Sequence, residues 1–428
     1  MKPITQHSNT LLNGLLLGWS NAQTSKSATP IWDTSREGHL ITIAPTGSGK
    51  GVSCAIPALM TWHGPAIVVD PRGENYAVTA ARRRAMGHIV HRLDPFQVAG
   101  GDGGDSLNPM DLIDPHADDF EDNAAVVSHL CMQGGSLGHS DPFWDERASH
   151  LVIKTIVALF NRMQRRPTLA DVQDIIKSAT STESPLQQVF LSQQSPKVER
   201  LTLTSLLNTS EFASGRTLCS ILATANSHLG FLRSPAVHAS LTSSTIQLDD
   251  ITAGAMQTIY LIIPPDKLIS HGKLIRLWIG VMLAAISRRR RAPSQPTLFL
   301  IDEAAQLGEM NELRTALTLM RAYGMRVWLF FQDMSQLQSV YRNDWESIIN
   351  NCKIQQFFGA KSPQARKSLQ TYLGDSLPLD RLTEDGMVLF NGETLATVRR
   401  PDYLHDTLFK GLASPHPFHH QQPDLTLH

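Results

Sequence analysis

Three things are scarce or missing in this 428-residue sequence. Cysteine is the first: Cys54, Cys131, Cys219 and Cys352 stand far apart in apolar surroundings, with no C-x-x-C spacing. That excludes a disulfide framework and a cysteine-based zinc site, and it fits buried thiols in a reducing cytoplasm. A surplus of one charge is the second, with 38 Lys and Arg against 39 Asp and Glu. A generally basic body is thereby excluded, so any contact with DNA has to come from local clusters or from an assembled surface. The third absence is a run of about 20 apolar residues, the length needed to cross a bilayer. Leu11 to Trp19 is too short, follows no basic run, and reads as a helix packing its leucines on a neighbour. Leu274 to Ile286 carries Arg276 and is closed by Arg288-Arg289-Arg290-Arg291, so it reads as a buried helix with a solvated basic cap.

What is present starts at His39. The stretch His39 to Ser53 reads as a short apolar strand, a glycine-rich turn with one lysine, and the start of a helix. This is the context of a phosphate-binding loop, in which backbone N–H groups curl around polyphosphate oxygens at a helix N-terminus. Thr46, Gly47, Ser48, Gly49, Lys50, Gly51 and Val52 are the candidate phosphate-binding residues, with Lys50 reaching the β and γ phosphates. The match to G-x-x-x-x-G-K-[ST] is imperfect. Ala44 stands at the first glycine, and Gly51 stands where a hydroxyl ordinarily ligates magnesium. A Gly/Ser-rich turn opening an ordinary helix is the plainer alternative.

From Gly38 to Pro109 strand and helix alternate, with strands expected at Leu40 to Ala44, Ala66 to Val69 and His88 to Leu93. Such alternation implies an α/β fold with a mainly parallel sheet. Between Pro115 and Leu241 helical periodicity replaces it: Val152, Ile156, Leu159, Phe160 and Met163 share one face of a helix opened by Asp141-Pro142-Phe143-Trp144, and Thr168, Ser184 and Ser214 are N-cap candidates. Strands return at Thr258 to Ile263, Thr297 to Ile301 and Arg326 to Phe331, and a hairpin is expected around Asn391-Gly392. The expected division is an N-terminal segment over 1–37, an α/β domain over 38–114 and 242–413, an all-α insertion over 115–241, and a tail over 414–428. The tail is rich in His, Pro and Gln and is expected to lack structure; His416, His419, His420 and His428 have no regular ligand spacing.

A phosphate loop alone binds, whereas hydrolysis also needs groups that place a metal and activate water. The strand Thr297 to Ile301 delivers Asp302 and Glu303 at its carboxyl end, where open α/β sheets place ligands. Asp302 is the candidate magnesium residue, directly or through water, and Glu303 the candidate general base. A helix is expected from there to Tyr323, with Gly324 as its left-handed cap. Gln332 ends the next strand, where its amide can reach a γ phosphate or the attacking water. Arg314 and Arg321 share one face of the intervening helix; in a ring of subunits one of them could act as an arginine finger.

Taken in order, Ala44 to Gly51, Asp70-Pro71-Arg72-Gly73-Glu74, Leu107-Asn108-Pro109, Asp141-Pro142-Phe143-Trp144, Leu300 to Ala304 and Phe331-Gln332-Asp333 resemble the TraG/TraD-type coupling proteins of conjugation and type IV secretion. The resemblance runs from Gly38 to Leu404. It implies a RecA-like P-loop domain interrupted by an all-α domain, ATP and Mg2+ as cofactors, and a hexameric ring around a channel. It also implies ATP-driven handling of single-stranded DNA, with recruitment of relaxase–DNA complexes or secreted proteins. On the family motifs fall Lys50, Asp302, Glu303 and Gln332, with Arg321 where an intersubunit arginine would lie; Lys-Gly at Lys50-Gly51 is common among these relatives. Arg72 replaces the lysine more usual in its turn, which is assigned no catalytic role. Members of the family usually begin with transmembrane helices, and no such segment is read in this sequence; a soluble homologue, a shortened chain and a relative repurposed for something other than conjugation all stay open, and the expectation is the first, cytoplasmic and reaching the inner membrane through secretion partners. Two other readings stay open: a nucleotide-regulated platform that recruits secretion substrates, and a soluble DNA translocase of the FtsK/HerA type.

Overall fold

A computed structural model of the chain describes residues 14–20, 28–101, 103–133, 142–178, 215–374 and 384–418. The chain divides into two compact units, one of residues 1–104, 249–269 and 286–428, the other of 105–248 and 270–285.

The first unit is organised by one sheet of eleven strands. They are β1 (Leu15–Trp19), β2 (Pro30–Asp33), β3 (His39–Ile43), β4 (Ala66–Val69), β5 (Ile89–Leu93), β6 (Gln257–Leu261), β7 (Thr297–Ile301), β8 (Met325–Phe331), β9 (Cys352–Phe357), β10 (Gly386–Phe390) and β11 (Leu395–Arg399). Their order is β2-β1-β11-β10-β9-β3-β8-β7-β4-β6-β5. From β9 to β5 all neighbours are parallel, and the remaining strands join antiparallel. The central strands β3, β4, β6, β7 and β8 are buried at every residue, which is why they read as mainly apolar runs: both faces are covered. Trp328 and Phe330 stack at 5.3 Å on one face of β8. The hairpin expected at Asn391-Gly392 joins β10 to β11.

The N-terminal leucines form a strand, not a helix. Leu15 and Leu17 enter the main core, while Leu16 joins a second cluster with Ile56, Met60, Val78, Tyr403 and Phe409. Alternate burial on two faces has period two, so a strand covered on both sides buries all three consecutive leucines. Strand β2 is tied to the centre of the sheet by a buried ion pair: Arg326 Nη2 lies 2.6 Å from Asp33 Oδ2, and its other nitrogens donate to Gly38 O and Ser35 O, each at 2.9 Å. Sequence reading also missed β9, whose Lys353, Gln355 and Gln356 break an apolar run although both glutamines are buried.

One arginine run departs from expectation, and a second also buries a member. Arg289 is buried instead of solvated, and its guanidinium donates to the carbonyls of Thr252, Tyr323, Gly324 and Ile251 and to Thr297 Oγ1. On the helix α2 (Glu74–Ala85), Arg83 has no exposed surface; Nε donates to Thr258 Oγ1 at 2.8 Å, Nη2 to Gly64 O at 2.7 Å, and Nη1 to the carbonyls of Leu59 and Trp62. Burial lowers its pKa to about 10, still high enough to keep it charged at neutral pH. Of the cysteines, Cys54, Cys131 and Cys352 are buried and Cys219 is exposed.

In the second unit every element among the described residues is helical. The longest lying wholly within it is α4 (Pro142–Arg162), which packs with α3 (Phe120–Met132), α5 (Leu169–Ser178) and α6 (Gly215–His228). Val152, Ile156 and Leu159 are buried on the face that the sequence indicates, Phe160 and Met163 only partly. Thr168 caps α5 reciprocally: its N–H donates to Asp171 Oδ2 at 2.8 Å while Asp171 N–H donates back to Thr168 Oγ1 at 3.3 Å. Ser184, Ser214 and Asp141 lie outside the described residues. Residues 270–285, which the sequence assigns to the α/β domain, cluster with this unit. They belong to a 23-residue helix, Pro265–Ser287, the one helix among the described residues that is long and apolar enough by composition to cross a membrane, and 61% of its apolar window is buried in the fold.

Because Arg83 serves four buried acceptors, its removal should be costly. Arg83→Ala is expected to lower unfolding free energy by about 3 kcal/mol or more, with Arg83→Lys recovering only part, measured by denaturant titration.

Candidate functional site

The parallel register decides which residues meet. Ile43 of β3 lies opposite Phe331 of β8, and Ile301 of β7 lies opposite both Val69 of β4 and Leu329 of β8. The residues that follow, Ala44 to Lys50, Asp70, Asp302-Glu303 and Gln332, therefore emerge side by side at one edge. Of these, Thr46, Gly47, Gly49, Lys50, Asp70, Asp302 and Glu303 line a cleft of about 660 Å³, large enough for a nucleotide, whereas Gln332 lines a neighbouring pocket with Pro45 and Phe358.

The loop has the conformation that its glycines allow. Gly47 (φ 74°) and Gly49 (φ 90°) are left-handed. A Cβ on Gly47 or Gly51 would meet nothing within 4 Å, so open space lies where phosphate oxygens would approach. Ser53 N–H closes onto Gly49 O at 2.8 Å, starting a wide turn over Gly51–Ala55 that passes into the helix α1 (Ile56–Thr61). Sequence reading gave a plain helix here; the wide turn is the local difference. Lys50 is buried, and its Nζ donates to Ala44 O at 2.8 Å and Pro45 O at 3.3 Å. An ammonium has three donors, and these two carbonyls use two. Thr46, Gly47, Gly49, Lys50, Gly51 and Val52 line the cleft. Ser48 does not: its Oγ turns back to Pro45 O at 2.6 Å. Behind it, Arg400 at the end of β11 donates Nη1 to Ser48 O and Nη2 to Glu384 O, and its guanidinium lies 4.7 Å over the Phe358 ring. Sequence reading missed Arg400, which has no local motif and is brought to the loop only by the sheet.

Glu303 is one of two non-glycine residues among those described with positive φ (53°). That left-handed backbone costs about 1–2 kcal/mol for a carboxylate residue and is the kind of strain that functional sites retain. Its Oε2 accepts from Gln332 Nε2 at 3.0 Å, and its Oε1 lies 4.0 Å from Lys50 Nζ. Gln332 thus reaches the site through the carboxylate. The continuous helix expected after Glu303 is instead three pieces, 3-10 turns at Ala304–Leu307 and Met320–Tyr323 flanking a helix at Asn311–Leu319. Gly308 (φ 67°) separates the first two, and Gly324 (φ 68°) ends the last.

The cleft holds more acid than base. Asp70, Glu74, Asp302 and Glu303 all line it, with Lys50 and Arg72 as the cations. Burial first, then the neighbouring Glu303, raises Asp302 to a pKa of about 6. Burial likewise raises Asp70 to about 7, against the N–H of Tyr76 that donates to it at 2.8 Å. Such a donor set is starved of a cation. Among the described residues no three His, Cys, Asp or Glu converge into a cage, which suits magnesium held by one carboxylate, waters and substrate phosphates. Asp302 would hold it; Ser53, the nearest hydroxyl along the helix, is buried. Asp70 was legible only as the end of a strand, in a turn given no role.

Arg321 and Arg314 are not brought to this cleft. Arg321 lies before β8, at the opposite end of the strand from Gln332, and pairs with Glu37; Arg314 pairs with Glu309 and Asp344. A further departure is at the tail. Ser414 N–H donates to Val78 O at 3.0 Å, and His416 and Phe418 line the cleft, so structure continues past the expected boundary. His419, His420 and His428 lie outside the described residues.

A parallel sheet carrying a glycine-rich loop, an acidic pair and a glutamine at adjacent strand ends defines a P-loop protein of the RecA-like class. Within that class the chain belongs to the family described as type IV secretory system conjugative DNA transfer, whose model matches residues 9–377. It is similar to the conjugal transfer protein TraG of Escherichia coli, 22% identical over 370 residues, covering 81% of this chain and 57% of that one. It also resembles TraG of Agrobacterium fabrum (29% over 320 residues, 71% and 45%) and VirD4 of Rhizobium radiobacter (23% over 366 residues, 82% and 51%). The chain spans about half the length of the curated relatives it matches. Among solved structures, the plasmid coupling protein TrwB in complex with ADP and Mg2+ aligns with a TM-score of 0.66 at 17% identity, over 94% of this chain and 95% of that one. VirB4 of Thermoanaerobacter pseudethanolicus aligns at 0.55 and 12%, over 94% and 98%.

The raised pKa of Asp302 has a signed consequence. A carboxyl whose folded pKa exceeds its unfolded one favours folding while protonated, and that contribution is lost as pH rises through about 6. In the absence of nucleotide and metal, wild type should therefore lose stability relative to Asp302→Asn between pH 5 and pH 8, by about 1 kcal/mol in this water-accessible cleft. Thermal melts of both proteins across that range check it.

Proposed function

We propose that this chain is the ATP-hydrolysing part of a coupling protein that recruits single-stranded DNA, relaxase–DNA complexes or secreted proteins and drives their transfer into a type IV secretion channel. The observation that carries the reading is the convergence of Lys50, Glu303 and Gln332 within hydrogen-bonding or ion-pairing reach at the carboxyl edge of the sheet. Family membership and the fold shared with TrwB, a plasmid coupling protein solved with ADP and Mg2+, support the choice of ligand and cargo.

In this reading the loop N–H groups and Lys50 hold the β and γ phosphates, and Lys50 exchanges its carbonyl partners for phosphate oxygens. Asp302 would hold Mg2+ through water, and the metal would supply neutralising charge to those oxygens. Glu303, hydrogen-bonded by Gln332, orients the attacking water and takes its proton; Gln332, just past the carboxyl end of the neighbouring strand, would report on that carboxylate. Arg321 has no part in its own chain's cleft, so its role is between subunits: in a hexameric ring it reaches the neighbour's γ phosphate. Its exposed partner Glu37 is a weak hold, readily exchanged for a phosphate. The ring works in the cytoplasm against inner-membrane secretion components.

Single-stranded DNA is expected to stimulate ATP hydrolysis, and Lys50→Ala or Glu303→Gln to reduce turnover at least 100-fold, in a coupled phosphate-release assay. Equal rates with and without DNA would contradict the motor. Arg321→Ala and Glu303→Gln chains, each inactive alone, should regain activity when mixed; no recovery would remove the intersubunit assignment.

A further inference from the structure

The chemistry of the cleft is not uniform. Thr46, Lys50, Asp302 and Glu303 suit phosphates and a metal, whereas Val52 and Ile56, on the helical segment leading away from the loop, suit something flat and apolar. On the same cleft stands Phe418, the only Phe, Tyr or Trp among the described residues that line it. Its ring is 64% exposed, although the rest of the segment is well fastened.

The fastening begins upstream. Phe409 is buried in a cluster with Ile56, Met60 and Val78, and Tyr403 N–H approaches Val52 O at 3.4 Å. Ser414 N–H then donates to Val78 O at 3.0 Å, and His416 Nε2 lies 3.7 Å from Glu74 Oε2. Phe418 N–H donates to His416 Nδ1 at 3.1 Å, with the two rings edge to face at 6.3 Å. A strap held at Val78, at Glu74 and within itself thus presents one exposed aromatic ring to the cleft that the phosphate loop also lines. A large exposed ring on a cleft wall costs hydration unless a ligand covers it, and a purine base is the flat partner that a triphosphate bound at Lys50 would bring.

We propose that the strap from Ser414 to Phe418 is the base-binding wall of the nucleotide site, with Phe418 as the stacking platform. This rests on the nucleotide reading of the same cleft and adds to it a subsite supplied by the C-terminal segment. The strap also links base occupancy to α2, because His416 is anchored on Glu74, the first residue of that helix.

The test separates base from phosphate. Binding of ATP and of inorganic tripolyphosphate, each with Mg2+, is measured by calorimetry on wild type, Phe418→Ala and Phe418→Trp. Phe418→Ala is expected to weaken ATP roughly three- to tenfold and leave tripolyphosphate unchanged, with Phe418→Trp binding ATP at least as well as wild type. Unchanged ATP affinity in Phe418→Ala would overturn the proposal. Equal weakening of both ligands would also overturn it, since the strap would then act on the loop and not on the base. Wild type binding neither ligand would defeat the nucleotide reading itself, an outcome distinct from the other two. Phe418 is exposed, so the alanine variant is expected to melt with wild type, which the same samples report.

Discussion

Everything at the cleft depends on the parallel register of four neighbouring strands. Ile43 faces Phe331 and Ile301 faces both Leu329 and Val69, so the residues that follow the four strands emerge within two residues of the same level. Hydrophobic burial on both faces of β3, β4, β7 and β8 holds that register, because a one-residue slip would send every apolar side chain to the opposite face. The chemistry is then a consequence of where strands stop: Lys50, Asp302, Glu303 and Gln332 need no long side-chain reach to find one another.

Three buried arginines hold the frame around that edge. Arg83, Arg289 and Arg326 each spread a planar fork of donors over backbone carbonyls, and only Arg326 has a carboxylate partner. They join segments distant in sequence, α2 to the loop at Gly64, the turn at Gly324 to Ile251, and β8 to β2. Desolvation of the guanidinium makes each of these contacts costly to lose, so they fix position more than they add stability. Arg400 extends the pattern to the phosphate loop, where it grips the back of Ser48.

Legibility in the sequence followed the range of the interactions. The central strands were readable because complete burial leaves mainly apolar runs, and the loop, the acidic pair and Gln332 because each sits at a strand end with a local motif. Strand β1 was misread because three adjacent leucines fit a helix face as well as a two-faced strand. Strand β9 was missed because Gln355 and Gln356 bury their amides, bonding to Ile349 O and Leu17 O respectively. Arg289 was misread because charge runs usually face water; its acceptors at Ile251, Thr252, Thr297, Tyr323 and Gly324 come together only in the folded chain. Arg400 and Phe418 reach the site through tertiary contacts that no local pattern announces, and Asp70 lies in a recognisable turn whose place beside Asp302 is fixed by strand order alone.

The most direct measurement of the central claim is a crystal structure with a non-hydrolysable ATP analogue and Mg2+. The account predicts the β phosphate inside the loop, Lys50 Nζ drawn from Ala44 O toward phosphate oxygen, and the metal beside Asp302 with a water on Glu303. A loop that stays closed on Lys50 with the nucleotide elsewhere would contradict it.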